Sequence, residues 1–277
     1  MYLDRLLTIA LIGLIAGVAS AQKAADLVQS ELFTDTTHVE PGKPFRLAVR
    51  FHVKPEWHVY WKHPGETGLP TVVKLQLPEG FTSGEWQYPV PRRFVLPGDI
   101  IGYGYSDEVV LFTEITPPAT LHSATISINA RASYLVCEAV CIPGSNAMSI
   151  ELPVGTAAVS KEAGEIDLWT TRVPKPLVVA DTSGELNADG SPAEFSVTIS
   201  LGQPGTDFQW FAQTPDALSL TDSALTNDGS SATIRFKAKV LSGFELQNST
   251  LPVVVAYTDS LGVRRGVEVR IPLRKAE

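Results

Sequence analysis

Cysteine is almost missing from this chain, with two residues in 277. That excludes a scaffold held by several disulfides and a four-cysteine zinc site. The histidines (His38, His52, His58, His63 and His122) lack the paired spacing of a zinc finger. Only Met1 and Met148 are methionines. Basic residues are scattered, with no adjacent run longer than a pair such as Arg92-Arg93 or Arg264-Arg265, and the net charge is −8. A nucleic-acid partner would need a concentrated basic face, so that class is excluded. Long apolar runs are absent after Val18, which leaves no later stretch of the roughly 20 residues that cross a bilayer. Helical periodicity is scarce throughout.

The amino terminus has the layout of a secretory leader. A short polar start with Arg5 precedes an apolar run from Leu6 to Val18, then Ala19-Ser20-Ala21 before Gln22. Small residues at that position suit a signal peptidase, so residues 1–21 are expected to be a cleaved signal peptide. The run is shorter than a membrane anchor, and no cysteine follows the cut to accept a lipid. The mature chain is expected to be exported and soluble, not membrane-spanning. An oxidising compartment lets a cysteine pair persist as a disulfide.

Short alternating runs bounded by Gly, Pro, Asn and Asp dominate the rest, as half-buried strands do. Residues 45–53 (FRLAVRFHV), 71–77, 108–115, 124–137 (ATISINARASYLVC) and 147–154 form a first series. Residues 160–173 (SKEAGEIDLWTTRV) predict a short helix capped by Ser160, with Leu168 and Trp169 toward a core. A second series follows in EFSVTISL, DFQWFAQ, ATIRFKAKV, LPVVVAYT and GVEVRIPL, while TDSALTNDGS reads as a turn. The expected fold is all-β, with two β-sandwiches in tandem. The expected division is 22–158 for the first domain, 159–176 for a linker with a short helix, and 177–277 for the second. The second contains no Cys or His and reads as a packing or spacer module.

Both cysteines fall in SYLVCEAVCIPG, residues 133–144. As a staple, a Cys137–Cys141 bridge closes a tiny loop worth only about 2 kcal/mol in the chain-entropy model. As a metal clip, the pair supplies half of a zinc site; with Met148 it offers three soft ligands for copper(I). As a redox pair, it fits a strand ending at Cys137, a turn at 138–140 and a return strand from Cys141, because opposed residues of antiparallel strands lie close enough to be bridged. Pro143 suits an edge strand, which would leave the pair accessible to an attacking thiolate. The spacing alone leaves these readings open.

Four segments occur in order: EWHVYWKHPGETGLPTVVKLQLPEGF (56–81), WQYPVPRRF (86–94), GYGYSDEVVLFTEI (102–115) and YLVCEAVCIPG (134–144). Together they resemble the N-terminal periplasmic domain of the DsbD and ScsB type thiol:disulfide interchange proteins, more nearly the ScsB-like branch. The resemblance implies an immunoglobulin-like sandwich. It also implies that Cys137 and Cys141 take electrons from a membrane-embedded reductase and pass them to thioredoxin-like periplasmic clients, with no cofactor and no metal. Cys141 is the cysteine it favours for the mixed disulfide. The family's site lies under a cap loop, which maps here onto Gly102, Tyr103, Gly104 and Tyr105. Three departures stand out. The cysteines are closer together, Gly102 stands where the cap loop has a phenylalanine, and neither a membrane domain nor a thioredoxin-like domain follows. The reductase is accordingly expected on a separate chain.

Other motifs have plainer readings beside the functional ones. In WHVYWKHPG, one of His58 and His63 could shuttle a proton, or Trp57 and Trp61 pack the core while the histidines bond locally. PGDIIGYGYSDE is either an ordinary glycine-rich loop or a cover over the cysteines. Glu138 is a polar turn residue, or a carboxylate that disfavours a neighbouring thiolate. The expected function is periplasmic thiol–disulfide exchange, an oxidoreductase activity. A non-catalytic adaptor with a structural disulfide and a copper(I)-handling protein are the alternatives.

Overall fold

The structure, a computed structural model, describes residues 23–177, 181–187, 191–215, 217–241 and 250–274. The expected leader therefore lies outside the described residues. Among the described residues, no helix is long and apolar enough to cross a membrane.

The chain is all-β, in several sheets consistent with an immunoglobulin-like fold. Its first series comprises β1 (Val28–Thr34), β2 (Phe45–Val53), β3 (His58–Gly65), β4 (Val72–Gln76), β5 (Thr82–Ser83), β6 (Arg92–Leu96), β7 (Ile100–Tyr105), β8 (Glu108–Thr116), β9 (Thr125–Cys137) and β10 (Cys141–Pro153). One sheet has the order β1-β2-β8-β5; the other runs β10-β9-β3-β7-β6, with β4 also on β9. Alternation places the core. In β9, Ile126, Ile128, Ala130, Ala132, Tyr134 and Val136 are buried and their neighbours up to Ser133 are exposed, the period-2 pattern of a strand with one covered face. They meet Leu47, Val49 and Phe51 of β2 in one apolar cluster.

β8 breaks that alternation, with Val109–Thr113 buried without interruption. Such a run needs cover on both faces, and α1 (Ala163–Thr170) packs against it. Ile166 and Trp169, three residues apart on one face of the helix, join the core cluster. Leu168, expected to face the core, is 47% exposed instead, since it lies about 100° round the helix from Trp169. Ser160 is not the cap. Its hydroxyl donates to the Thr34 carbonyl, and the N-cap position is Glu162, which makes no side-chain cap bond. Ion pairs from Arg46 to Asp167 and from Arg50 to Glu165 fasten the helix to β2.

The second series comprises β11 (Lys175–Pro176), β12 (Asp181–Ser183), β13 (Ala193–Ser200), β14 (Thr206–Ala212), β15 (Leu218–Asn227), β16 (Ser231–Val240), β17 (Thr250–Thr258) and β18 (Arg264–Pro272). Its sheets have the orders β11-β18-β17-β14 and β12-β13-β16-β15. Most of TDSALTNDGS is strand β15, not turn. Among the described residues it pairs only with β16, across an irregularity between Thr221 and Ala224. A polar, bulged edge strand protects a sheet from unwanted pairing, and its polarity hides it from a reading based on apolar alternation. Leu251, Val253 and Val255 of β17 face a second apolar cluster, while Val254 and Ala256, with Phe211 of β14, reach the first. Phe211 meets Trp61 and Tyr103 edge-on, with ring centroids 6.2 and 5.1 Å apart.

Candidate functional site

β9 and β10 form a long hairpin whose register sets Cys141 opposite Cys137. Three residues make the turn, closed by the Glu138 amide donating to the Val140 carbonyl at 3.1 Å. The two cysteines are joined in a disulfide with their Cα atoms 4.2 Å apart. β10 is the edge strand of its sheet, and Pro143 sits in it without an N–H to leave unpaired.

The two halves of the bridge are unequal. Cys137 has no exposed surface, whereas Cys141 is exposed, as are Glu138, Ala139 and Val140. The edge position gives Cys141 solvent on one flank. Cys137, one strand further in, has β3 on its other side, where His58 is its cross-strand partner. Partners directly opposite on antiparallel strands share a face, with Cβ atoms roughly 4.5–5.5 Å apart. Val59 and Trp61 belong to the core cluster, so His58, Tyr60 and Cys137 share the opposite face.

That face is covered. The Phe94 ring of β6 stacks on His58 with centroids 4.4 Å apart and planes 17° from parallel, and Tyr60 meets the imidazole edge-on at 5.3 Å. His58 Nε2 and the Tyr60 hydroxyl are buried with no hydrogen-bond partner among the described residues. Trp57 and Trp61 do pack the core; local hydrogen bonding does not account for His58 Nε2, and the side chain that bears on His63 is Gln213, from far along the chain. Nothing in the local sequence distinguishes the two rings. The signal that would have found His58 is the pairing of β3 with β9.

Gly102, Tyr103, Gly104 and Tyr105 lie in strand β7, which with β6 makes a hairpin turning at Pro97-Gly98-Asp99. Gly104 stands opposite Tyr60, and a Cβ there would lie 2.0 Å from the Val59 carbonyl oxygen. Only glycine admits that approach. Tyr105 pairs with Val59 and so takes the core face, where its hydroxyl donates to the Pro89 carbonyl at 2.7 Å. Tyr103 turns to Phe211. Of the hairpin, Phe94 is the side chain stacked beside the cysteines' neighbour.

Met148 pairs with Ala130, seven residues along β10 from Cys141, roughly 23 Å away at about 3.3 Å per residue. The three sulfurs do not converge. Among the described residues, no group of three His, Cys, Asp or Glu side chains is placed to hold a metal ion.

Burial holds the His58 imidazole below its ordinary pKa, and burial aided by Lys62 does the same for His63 against the pull of Glu268. Both rings stay neutral in the fold while the unfolded chain takes up protons near pH 6.5. Their contribution is therefore complete above about pH 6.5 and is lost as pH falls toward their folded values, at up to about 1.4 kcal/mol per pH unit for each ring. Urea unfolding between pH 7 and pH 5 should show this loss, and His58→Gln should flatten part of it. A slope unchanged in both His58→Gln and His63→Gln would assign the loss to carboxylates.

These strands and this hairpin define a class. Residues 24–153 match the family model described as thiol:disulfide interchange protein DsbD, N-terminal. More particularly, the chain is similar in structure to the N-terminal periplasmic domain of ScsB from Proteus mirabilis, with a TM-score of 0.65 and 18% identity over 92% of this chain and 97% of that one. Two further structures align far more loosely. The major pilin subunit BcpA of Bacillus cereus has a TM-score of 0.27 at 9% identity over 88% of this chain and 66% of its own. The Enterococcus faecalis MSCRAMM ACE has a TM-score of 0.25 at 12% identity over 92% of this chain and 98% of its own. No curated protein sequence matches the chain.

Proposed function

We propose that this protein exchanges thiols and disulfides through Cys137 and Cys141, passing electrons from a membrane reductase to thioredoxin-like clients in the periplasm. The observation that carries the reading is the asymmetry of the bridge, with Cys141 exposed at a sheet edge and Cys137 buried. A donor thiolate attacks Cys141 Sγ along the S–S axis; the S–S bond breaks, a donor–Cys141 disulfide forms, and Cys137 leaves as the thiolate. The donor's second thiolate then displaces Cys141, leaving both cysteines of this protein reduced and the donor oxidised. Toward a client the steps reverse. Cys141 attacks the client disulfide, and Cys137 resolves the mixed disulfide, releasing the client thiolate.

Cys137 needs help with its proton, because burial in apolar surroundings raises a thiol pKa. Neutral His58, its cross-strand neighbour with Nε2 unpartnered, accepts that proton as Cys137 becomes the nucleophile. Phe94 and the β6–β7 hairpin, including Gly102–Tyr105, shield this pair from adventitious thiols. Residues 1–21 act as a cleaved export signal, 22–158 as the exchange domain, and 177–277 as a second sandwich buttressing it at Phe211.

Equilibration with defined thiol–disulfide buffers tests the reading. An exchanging pair has a reduction potential above about −300 mV; a structural one lies below. A value below that limit would favour the adaptor. Phe94→Ala should hasten reduction by a small thiol while the potential changes little, because access limits the rate. Equal rates in Phe94→Ala and wild type, under conditions where denaturant does accelerate reduction, would remove the shielding role.

A further inference from the structure

A second cluster lies apart from the cysteines. Val90, Arg92, Tyr105, Ser106, Trp169, Arg172 and Arg264 line, with Asp107 and Glu108, a cleft of about 220 Å³. Its three guanidiniums come from three parts of the fold: Arg92 from β6, Arg172 from the residue after the α1 C-cap, and Arg264 from β18.

They are poorly satisfied by the protein. Among the described residues Arg92 makes no ion pair, and the Arg172 side chain makes no hydrogen bond or ion pair but packs on the face of Trp169, 4.2 Å from ring centroid to guanidinium carbon. Arg264 reaches Asp207 and Gln209 through its terminal nitrogens. The Nε atoms of both Arg172 and Arg264 are buried without a partner among the described residues, and a buried donor left unpaired is costly. Burial, and then repulsion from Arg92 and Arg265 against the pull of Glu108, holds Arg172 below its ordinary pKa. Burial and Arg92 act likewise on Arg264, against Asp207.

The acidic groups in the cleft are otherwise engaged. Glu108 lies 3.2 Å from His52 Nδ1, and Asp107 accepts from the Ser106 hydroxyl. Neither forms an ion pair with the three arginines. The cleft has room for roughly seven waters at about 30 Å³ each, or for one tetrahedral oxyanion with part of its hydration. A guanidinium stacked on an aromatic face keeps its N–H fork free to donate in its own plane, the geometry that recognises oxyanions.

We infer that Arg92, Arg172 and Arg264 form a binding site for a compact multivalent oxyanion of the phosphate or sulfate type, which bridges the first strand series, the helix and β18. Because the ligand ties these parts together, binding stabilises the fold in proportion to the logarithm of its concentration. The reading is independent of the cysteine chemistry.

Isothermal titration of phosphate, and separately of sulfate, into the purified chain tests it, with sodium chloride holding ionic strength constant. Melting curves in the same solutions provide a second readout. Saturable one-site binding is expected, together with a melting temperature that rises with phosphate but not with chloride. Arg92→Gln and Arg172→Gln should each weaken binding at least tenfold, and Glu108→Gln should tighten it by removing a competing charge. Arg92 is exposed, so its variant reports even if Arg172→Gln fails to fold. No saturable binding, or equal affinity in wild type and Arg92→Gln, overturns the site. So does a Glu108→Gln variant that is as destabilised as Arg172→Gln and indifferent to phosphate, since Glu108 would then be the true partner.

Discussion

Cys137→Ala is expected to turn the protein into a trap. It leaves Cys141 as a lone thiol on an exposed sheet edge, free to attack a partner disulfide. Without Cys137 the mixed disulfide has no intramolecular exit, so the complex accumulates. In cells that express the reductase and its clients, a discrete higher-mass band should appear on a non-reducing gel and vanish with reductant. Cys141→Ala leaves only Cys137, which has no exposed surface; its adduct should be weaker by on the order of tenfold, because exchange needs in-line access to sulfur. The double variant should capture nothing. Diffuse adducts of equal intensity from both single variants would contradict electron transfer and leave the bridge structural.

Gly104→Ala should be among the most damaging single substitutions in the chain. The added Cβ would lie 2.0 Å from the Val59 carbonyl oxygen and 3.0 Å from the Tyr60 Cα. Both atoms are backbone, so no rotamer change relieves the overlap, and β7 must lift from β3. Overpacking of this kind costs about 1–3 kcal/mol and occasionally more; the upper end is expected here. Lifting β7 also loosens β6, and Phe94 with it, so the Cys137–Cys141 bridge should be reduced faster by a small thiol. Gly164→Ala is the control. Among the described residues nothing lies within 4 Å of its Cβ position in α1, and alanine there should add up to about 1 kcal/mol by helix propensity. Urea unfolding and thiol kinetics on both variants check the pair. A Gly104→Ala protein as stable as wild type would mean that β7 does not lie against β3 as described.

Much of the strand content was legible because a strand with one covered face repeats every two residues. The run from Thr125 to Cys137 declared its inward residues in this way. The helix was legible in outline, but its inward face was misjudged by one residue at Leu168. β15 was missed, since an edge strand has little apolar surface to alternate.

The cysteine spacing, read with the strand pattern on either side, already placed Cys137 and Cys141 across a hairpin from one another. Those are consequences of neighbours in the chain, and local sequence carries them. It could not say which sulfur is shielded, because burial of Cys137 depends on β3, which arrives from far back in the chain to lie beside β9. The same pairing, invisible to any local pattern, singles out His58 from His63, and the β6–β7 hairpin then brings Phe94 over it. The arginine cleft is tertiary in the same sense: Arg92, Arg172 and Arg264 are scattered charges until helix and sheets close around them. Period-2 alternation assigns residues to faces of a strand. What covers each face follows from strand order, and here that order, β10-β9-β3-β7-β6, is not the order of the chain.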